Sequence, residues 1–154
     1  MAKDYNNKYD RKKQNNDAFQ QKPKIEQPLH EYYSNYAKIY LEDGEAYQIA
    51  QKLGDIPPHQ MRKILNPIKE AMVKIKNGAD ITTARNVLFN IVPLTAYNAA
   101  RDKNNKDLYE FVRTHINEQS IRSSEDIEIL DKLFTSIIAY HRYFQEMKKR
   151  KGGR

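Results

Sequence analysis

From residue 58 onward apolar side chains recur every three or four positions, and that spacing predicts helices. Residues 58–77 place Met61, Ile64, Leu65, Ile68, Met72 and Ile75 on one face. Pro57 and Pro58 mark the start, because a proline in the first turn gives up an N–H that has no intrahelical partner. Pro67 falls inside and predicts a kink or a lost hydrogen bond. "NGAD" at 77–80 reads as a turn, with Asp80 or Thr82 as the next cap. The most apolar segment is "ITTARNVLFNIVPLTAYNAARD". There Val87, Leu88, Ile91, Leu94 and Ala99 line one face, and Phe89, Val92 and Ala96 widen it. A stripe that wide predicts a central helix buried on more than one side, kinked at Pro93.

"DKNNKD" at 102–107 predicts a loop and "LYEFVRTHI" a short helix. The last helix runs from about Ser124 to Lys151, with Ile127, Leu130, Phe134, Ile137, His141 and Phe144 on its buried face. "SSED" offers a Ser cap and first-turn acids, terminal lysines complement the helix dipole, and Gly152 ends the helix. Upstream, "LHEYYSNYAKIYLE" puts Tyr33, Tyr36, Ala37 and Tyr40 at helical spacing, and "EAYQIAQKLG" continues with Ile49 and Leu53 to a stop at Gly54. No strand alternation occurs. The expected fold is all-α, a compact bundle of five to six helices in one domain over residues 29–151, with Val87, Leu88, Ile91, Leu94, Ile137 and Phe144 in the core. Residues 1–28 are rich in Asn, Gln and Lys and too poor in apolar side chains to offset ordering entropy, so they are expected to be a disordered basic tail. Residues 152–154 are expected to be a flexible C-terminus.

Charge is sorted along the chain. Residues 58–106 hold nine Lys/Arg against three Asp/Glu, and residues 132–154 seven against one, a net +6 in each. Residues 29–57 carry −3 and residues 107–131 carry −5, while residues 1–28 carry +3. Basic sectors of this kind suit a polyanion. Acidic sectors suit contact with a neighbour's basic surface. The chain has no cysteine, no membrane-length apolar run and no signal-peptide pattern, which together point to a reducing cytoplasm.

Signals for catalysis are weak. His30, His59, His115 and His141 show no metal-ligand spacing, and no Glu-x-x-His pair of a bundle diiron site is present. Glu110 and His115 point to different helix faces, and there is neither a glycine-rich phosphate loop nor a nucleophile elbow. The sequence therefore predicts no catalytic residue, no metal ligand and no cofactor. Glu125 and Asp126 read as helix-start charges, and His141 as a hydrogen-bonded core histidine. "YYSNYAKIY" reads as core and interface aromatics more readily than as a stacking platform for bases. "KKRKGGR" at 148–154 reads equally as a nucleic-acid contact and as a solvated helix end. Arg62 and Lys63 are odder, because cations near a helix N-terminus are disfavoured unless an anion is close, and a bound phosphate reverses that sign. Tyr97 and Arg101, at i and i+4, share one face just beyond the apolar stripe.

Three stretches in order, "PPHQMRKIL", "LTAYNAARD" and "LFTSIIAYHRYF", resemble the small helical subunit of the type III-A CRISPR effector, the Csm complex. The resemblance covers roughly residues 45–147. It departs from the family pattern in having prolines where hydroxyl residues usually open the first of these helices, and in its longer tails. It implies a non-catalytic cytoplasmic protein of a prokaryote. Several copies would stack beside the backbone subunits, contacting the phosphates of guide and target RNA without reading sequence. The implied partners are guide RNA and target RNA, the backbone and large subunits of the effector, and other copies of the chain. Arg62 and Arg101 are the first expected phosphate contacts. Lys63 follows, then Lys69, Arg85, Lys103 and Arg142. Without the resemblance, the residues alone fit a helical protein-interaction module with no nucleic-acid role.

Overall fold

The computed structural model describes residues 27–152. The expected tail, residues 1–28, lies outside these apart from Gln27 and Pro28, as does all but Gly152 of the expected C-terminus. Among the described residues the fold is all-α, with no strand. A 3-10 turn, Pro28–Tyr32, leads to the single turn α1, Ala37–Tyr40, and then to α2, Glu45–Lys52. There follow α3, Pro58–Lys76, α4, Ile81–Phe89, and α5, Ile91–Arg101. A second 3-10 turn, Lys103–Asn105, leads into α6, Lys106–His115, and α7 runs from Ser124 to Gly152.

Local chemistry sets the boundaries. Pro57 caps α3 in extended geometry, and Pro58 occupies its first position. The helix continues through Pro67, which lacks the N–H that would bond the Lys63 carbonyl. At its end Gly78 adopts φ 86°, and Gly78 and Ala79 donate to the carbonyls of Ile75 and Lys74. That paired closure is a Schellman motif, which a residue without Cβ adopts at low cost. Asp80 is the cap of α4 and accepts from the Thr83 N–H at 2.8 Å, which holds its carboxyl below the usual range. The expected single helix across 82–101 is instead two, broken at Asn90. Pro93 explains the break: inside a continuous helix its ring would meet the Phe89 carbonyl, whereas in the first turn of α5 its missing N–H costs nothing.

The 29-residue helix α7 is the spine. It buries Ile127, Ile129, Leu130, Leu133, Phe134 and Ile137 against α2, α3 and the N-terminal turns. It runs antiparallel to α3, as three contacts fix: Lys69 with Asp131 at 2.7 Å, Gln145 Nε2 donating to the Ile56 carbonyl at 3.0 Å, and Lys148 with Asp55 at 2.9 Å. Its polar side chains also close the short helices. Ser136 Oγ donates to the Ile39 carbonyl at 2.6 Å, the Tyr140 hydroxyl donates to the Tyr40 carbonyl, and His141 Nε2 donates to the Leu53 carbonyl at 3.0 Å. His141 is thus a buried, hydrogen-bonded core histidine.

Asp126 does more than supply first-turn charge. It is 1% exposed and accepts from the N–H groups of Arg122 and Ser123 at 2.9 and 3.0 Å. The second of these is the return half of a capping box. Its other oxygen accepts from the Tyr33 hydroxyl, fastening the N-terminal turn to α7. Burial and the Asp126 carboxylate push the Tyr33 phenol up to about 12.

The core differs from expectation in part. Leu88, Ile91 and Ile137 are buried, but Leu94 is 45% exposed and Val87 and Phe144 are only half-buried. The segment 81–101 packs one face, on Ala84, Leu88, Ile91 and Thr95, so it is not the central helix; α7 is. In the tyrosine-rich stretch Tyr36, Ala37 and Tyr40 face solvent, and the buried side chains are Leu29, Tyr32 and Ile39. The segment forms a 3-10 turn and a single α-turn rather than one helix, so the 3.6-residue register does not carry across it.

Leu88→Ala removes a fully buried side chain and is expected to cost about 2–5 kcal/mol in denaturant unfolding. A second expectation concerns pH. Burial lowers the pKa values of His115 and His141 below the ordinary 6.5. The unfolded chain then binds more protons as pH falls through that value, so their contribution is full above it and lost below it. Stability should fall from about pH 7.5 to about pH 5.5, and His141→Gln, which keeps an amide donor for the Leu53 carbonyl, should flatten that fall.

Candidate nucleic-acid interface

The cations singled out in the sequence divide by what they touch. Lys69 is held by Asp131, and Arg142 pairs with Glu146 one turn on at 3.2 Å. Arg85 is half-buried, donates to the Ile121 carbonyl at 3.2 Å and lies over the Phe89 ring at 5.7 Å. These three are engaged within the fold. Arg62, Lys63, Arg101 and Lys103 are exposed and make no salt bridge among the described residues.

Three elements bring part of this second group together. The first two turns of α3 supply Gln60 and Lys63, α5 supplies Leu94, Asn98 and Arg101, and the following 3-10 turn supplies Asn105. Lys63 borders a small cleft between α3 and α5 that is also lined by Leu94, Thr95 and Leu108. Arg101 borders an adjoining polar pocket of about 270 Å³, lined with it by Gln60, Asn98, Asp102 and Asn105. The Arg101 guanidinium lies over the Tyr97 ring at 5.6 Å, so the spacing read in the sequence is a real contact. Tyr97 is 59% exposed, which leaves aromatic and cation facing solvent together. Arg62 stands apart from this pocket. It lies two turns before Lys69, on the shoulder of α3 that faces α7, whereas Lys63 lies on the shoulder that faces α5.

The carboxamides of Gln60, Asn98 and Asn105 carry no motif, and the sequence reading missed them. Asn105 fell within the expected loop. The available signal was spacing, since Gln60 and Asn98 each lie three residues before a cation already singled out. Among the described residues no three His, Asp or Glu gather in a metal-binding group, and no helix is long and apolar enough to cross a membrane.

The family model for Csm2 Type III-A matches residues 37–147, which takes in α1 to α6 and most of α7. The chain belongs to the Csm2 Type III-A family. It is therefore a small subunit of the type III-A Csm effector complex, and the Csm2 family is a structural one. The match begins at the Ala37 turn, eight residues before the resemblance read in the sequence, so it includes the segment that α7 closes through Ser136 and Tyr140. No curated protein and no solved structure matches the chain.

The division among the cations makes a prediction. Arg85→Ala removes a half-buried hydrogen bond and aliphatic packing, and should lower unfolding stability by about 1–2 kcal/mol. Arg101→Ala and Lys63→Ala, at exposed positions, should shift it by less than about 0.5 kcal/mol in the same assay.

Proposed function

We propose that this Csm2-family subunit binds RNA through phosphate contacts from the start of α3 and the end of α5, does not read bases and does not cut. The observation that carries this reading is that Arg62, Lys63, Arg101 and Lys103, at the start of α3 and the end of α5, are exposed and make no salt bridge among the described residues, whereas Lys69, Arg85 and Arg142 are held by partners within the fold. An exposed arginine or lysine with no carboxylate to satisfy it presents its donors to a polyanion without first breaking a contact. Lys69, Arg85 and Arg142 join the interface only at the expense of their present partners. In the assembled effector, copies of the chain stack along the paired guide and target RNA, beside the backbone and large subunits. The acidic sectors and the exposed Tyr36, Tyr40 and Leu41 are the surfaces offered to protein neighbours.

The test is a salt titration of binding to unrelated single-stranded RNAs. Each phosphate neutralised should add about −0.7 to the slope of log affinity against log salt. Arg101→Ala and Arg62→Ala should each weaken binding similarly on every sequence and flatten the slope. Reversing the charges of Lys148, Lys149, Arg150 and Lys151 is the control. If that change abolishes binding while the arginine variants leave affinity and slope intact, the helical body is a scaffold and the α7 end is the RNA contact.

A further inference from the structure

The polar pocket beside Arg101 offers more than a phosphate can use. Three of its five lining side chains, Gln60, Asn98 and Asn105, are carboxamides, each donor and acceptor, and a fourth is the Asp102 carboxylate. A phosphodiester oxygen only accepts hydrogen bonds, so it could take the amide N–H groups but would leave the amide oxygens unanswered, and the carboxylate repels it. Asn105 sharpens the point. It is 4% exposed, and no donor among the described residues reaches its Oδ1. A buried amide oxygen without a donor carries a desolvation cost that a ligand supplying an O–H or N–H would relieve. Such a ligand must therefore donate, and the amide groups around it also allow it to accept.

A nucleobase meets that description poorly here. Proteins hold splayed bases by stacking them on aromatic or guanidinium planes; none of the lining side chains is aromatic, and the one guanidinium, Arg101, already lies over the Tyr97 ring. A sugar hydroxyl fits, being both donor and acceptor and needing no plane to stack on.

Resting on the RNA reading above, we infer that the Gln60–Asn98–Asn105 carboxamide pocket receives a ribose 2′-hydroxyl while Arg101 holds the phosphate beside it. The subunit then distinguishes RNA from DNA at this position without reading sequence, because the 2′-hydroxyl is the group DNA lacks.

The experiment compares the full-length chain on three single strands of one mixed sequence: RNA, DNA and 2′-O-methyl RNA. The expected result is that RNA binds tighter than either of the others by roughly two- to tenfold, the worth of one net hydrogen bond. Asn98→Ala and Gln60→Ala, tested singly and checked for helix content, should each reduce that preference while leaving the salt slope unchanged. Arg101→Ala should weaken RNA and DNA together and leave their ratio unchanged. Equal binding of all three strands by the unaltered protein overturns the inference and leaves the phosphate reading standing. A preference that survives in Asn98→Ala and Gln60→Ala also overturns it. Failure to bind any strand overturns the RNA reading and this inference with it.

Discussion

Short helices have more unsatisfied ends than they can hide, and this fold meets that constraint by lending them the side chains of one long helix. The four-residue α1 and eight-residue α2 leave most of their carbonyls without an intrahelical donor. Ser136, Tyr140, His141 and Gln145, at the edge of the buried stripe of α7, donate to carbonyls of Ile39, Tyr40, Leu53 and Ile56 in turn. At the other end of α7, Asp126 takes the Tyr33 hydroxyl and the N–H groups of Arg122 and Ser123, the two residues that lead into the helix. Polar spacing along α7 thus sets where α1 and α2 stop. It also fixes the Asp55–Pro58 corner from which α3 starts, and α3 in turn carries Gln60, Arg62 and Lys63.

Apolar periodicity made α3 and α7 legible, because both are long and each packs one continuous face. The proline and glycine boundaries of α3, and Asp80 at the start of α4, were legible for local chemical reasons that hold wherever the segment sits. The tyrosine-rich N-terminal stretch was not. Its register is set by contacts nearly a hundred residues away in sequence, through Tyr33, Ile39 and Tyr40, and periodicity carries no trace of those partners. The width of the apolar stripe in 81–101 misled for a related reason. It is two stripes, one from each side of the break at Asn90, and superposing them on one helix manufactures a face as wide as a central helix would have. The exposed Leu94 is the visible consequence.

The same distinction separates the cations. Sequence shows a segment of net +6 but not which charges are already answered. Asp131, Glu146 and the Ile121 carbonyl remove Lys69, Arg142 and Arg85 from the free set, and two of these three partners lie more than thirty residues away. Of the seven cations singled out in the sequence, that leaves Arg62, Lys63, Arg101 and Lys103, near the start of α3 and the end of α5, with Lys63 and Arg101 bordering adjoining clefts. The carboxamides between them were invisible because Asn and Gln are ordinary surface residues until a fold brings three into one pocket. Family membership identifies the assembly the chain serves, whereas the structure shows which of the singled-out cations have a partner among the described residues.

The most direct test of this account is photo-crosslinking of the assembled effector, carrying guide and target RNA, followed by mapping of the crosslinked peptides of this subunit. The account places RNA against the first two turns of α3 and against the stretch from Tyr97 to Lys103, where the exposed tyrosine ring is itself a good crosslinking centre. Crosslinks should therefore fall in peptides covering residues 58–69 and 91–106. Crosslinks confined to the end of α7 beyond Met147, or to the tyrosines of residues 32–47, would contradict it.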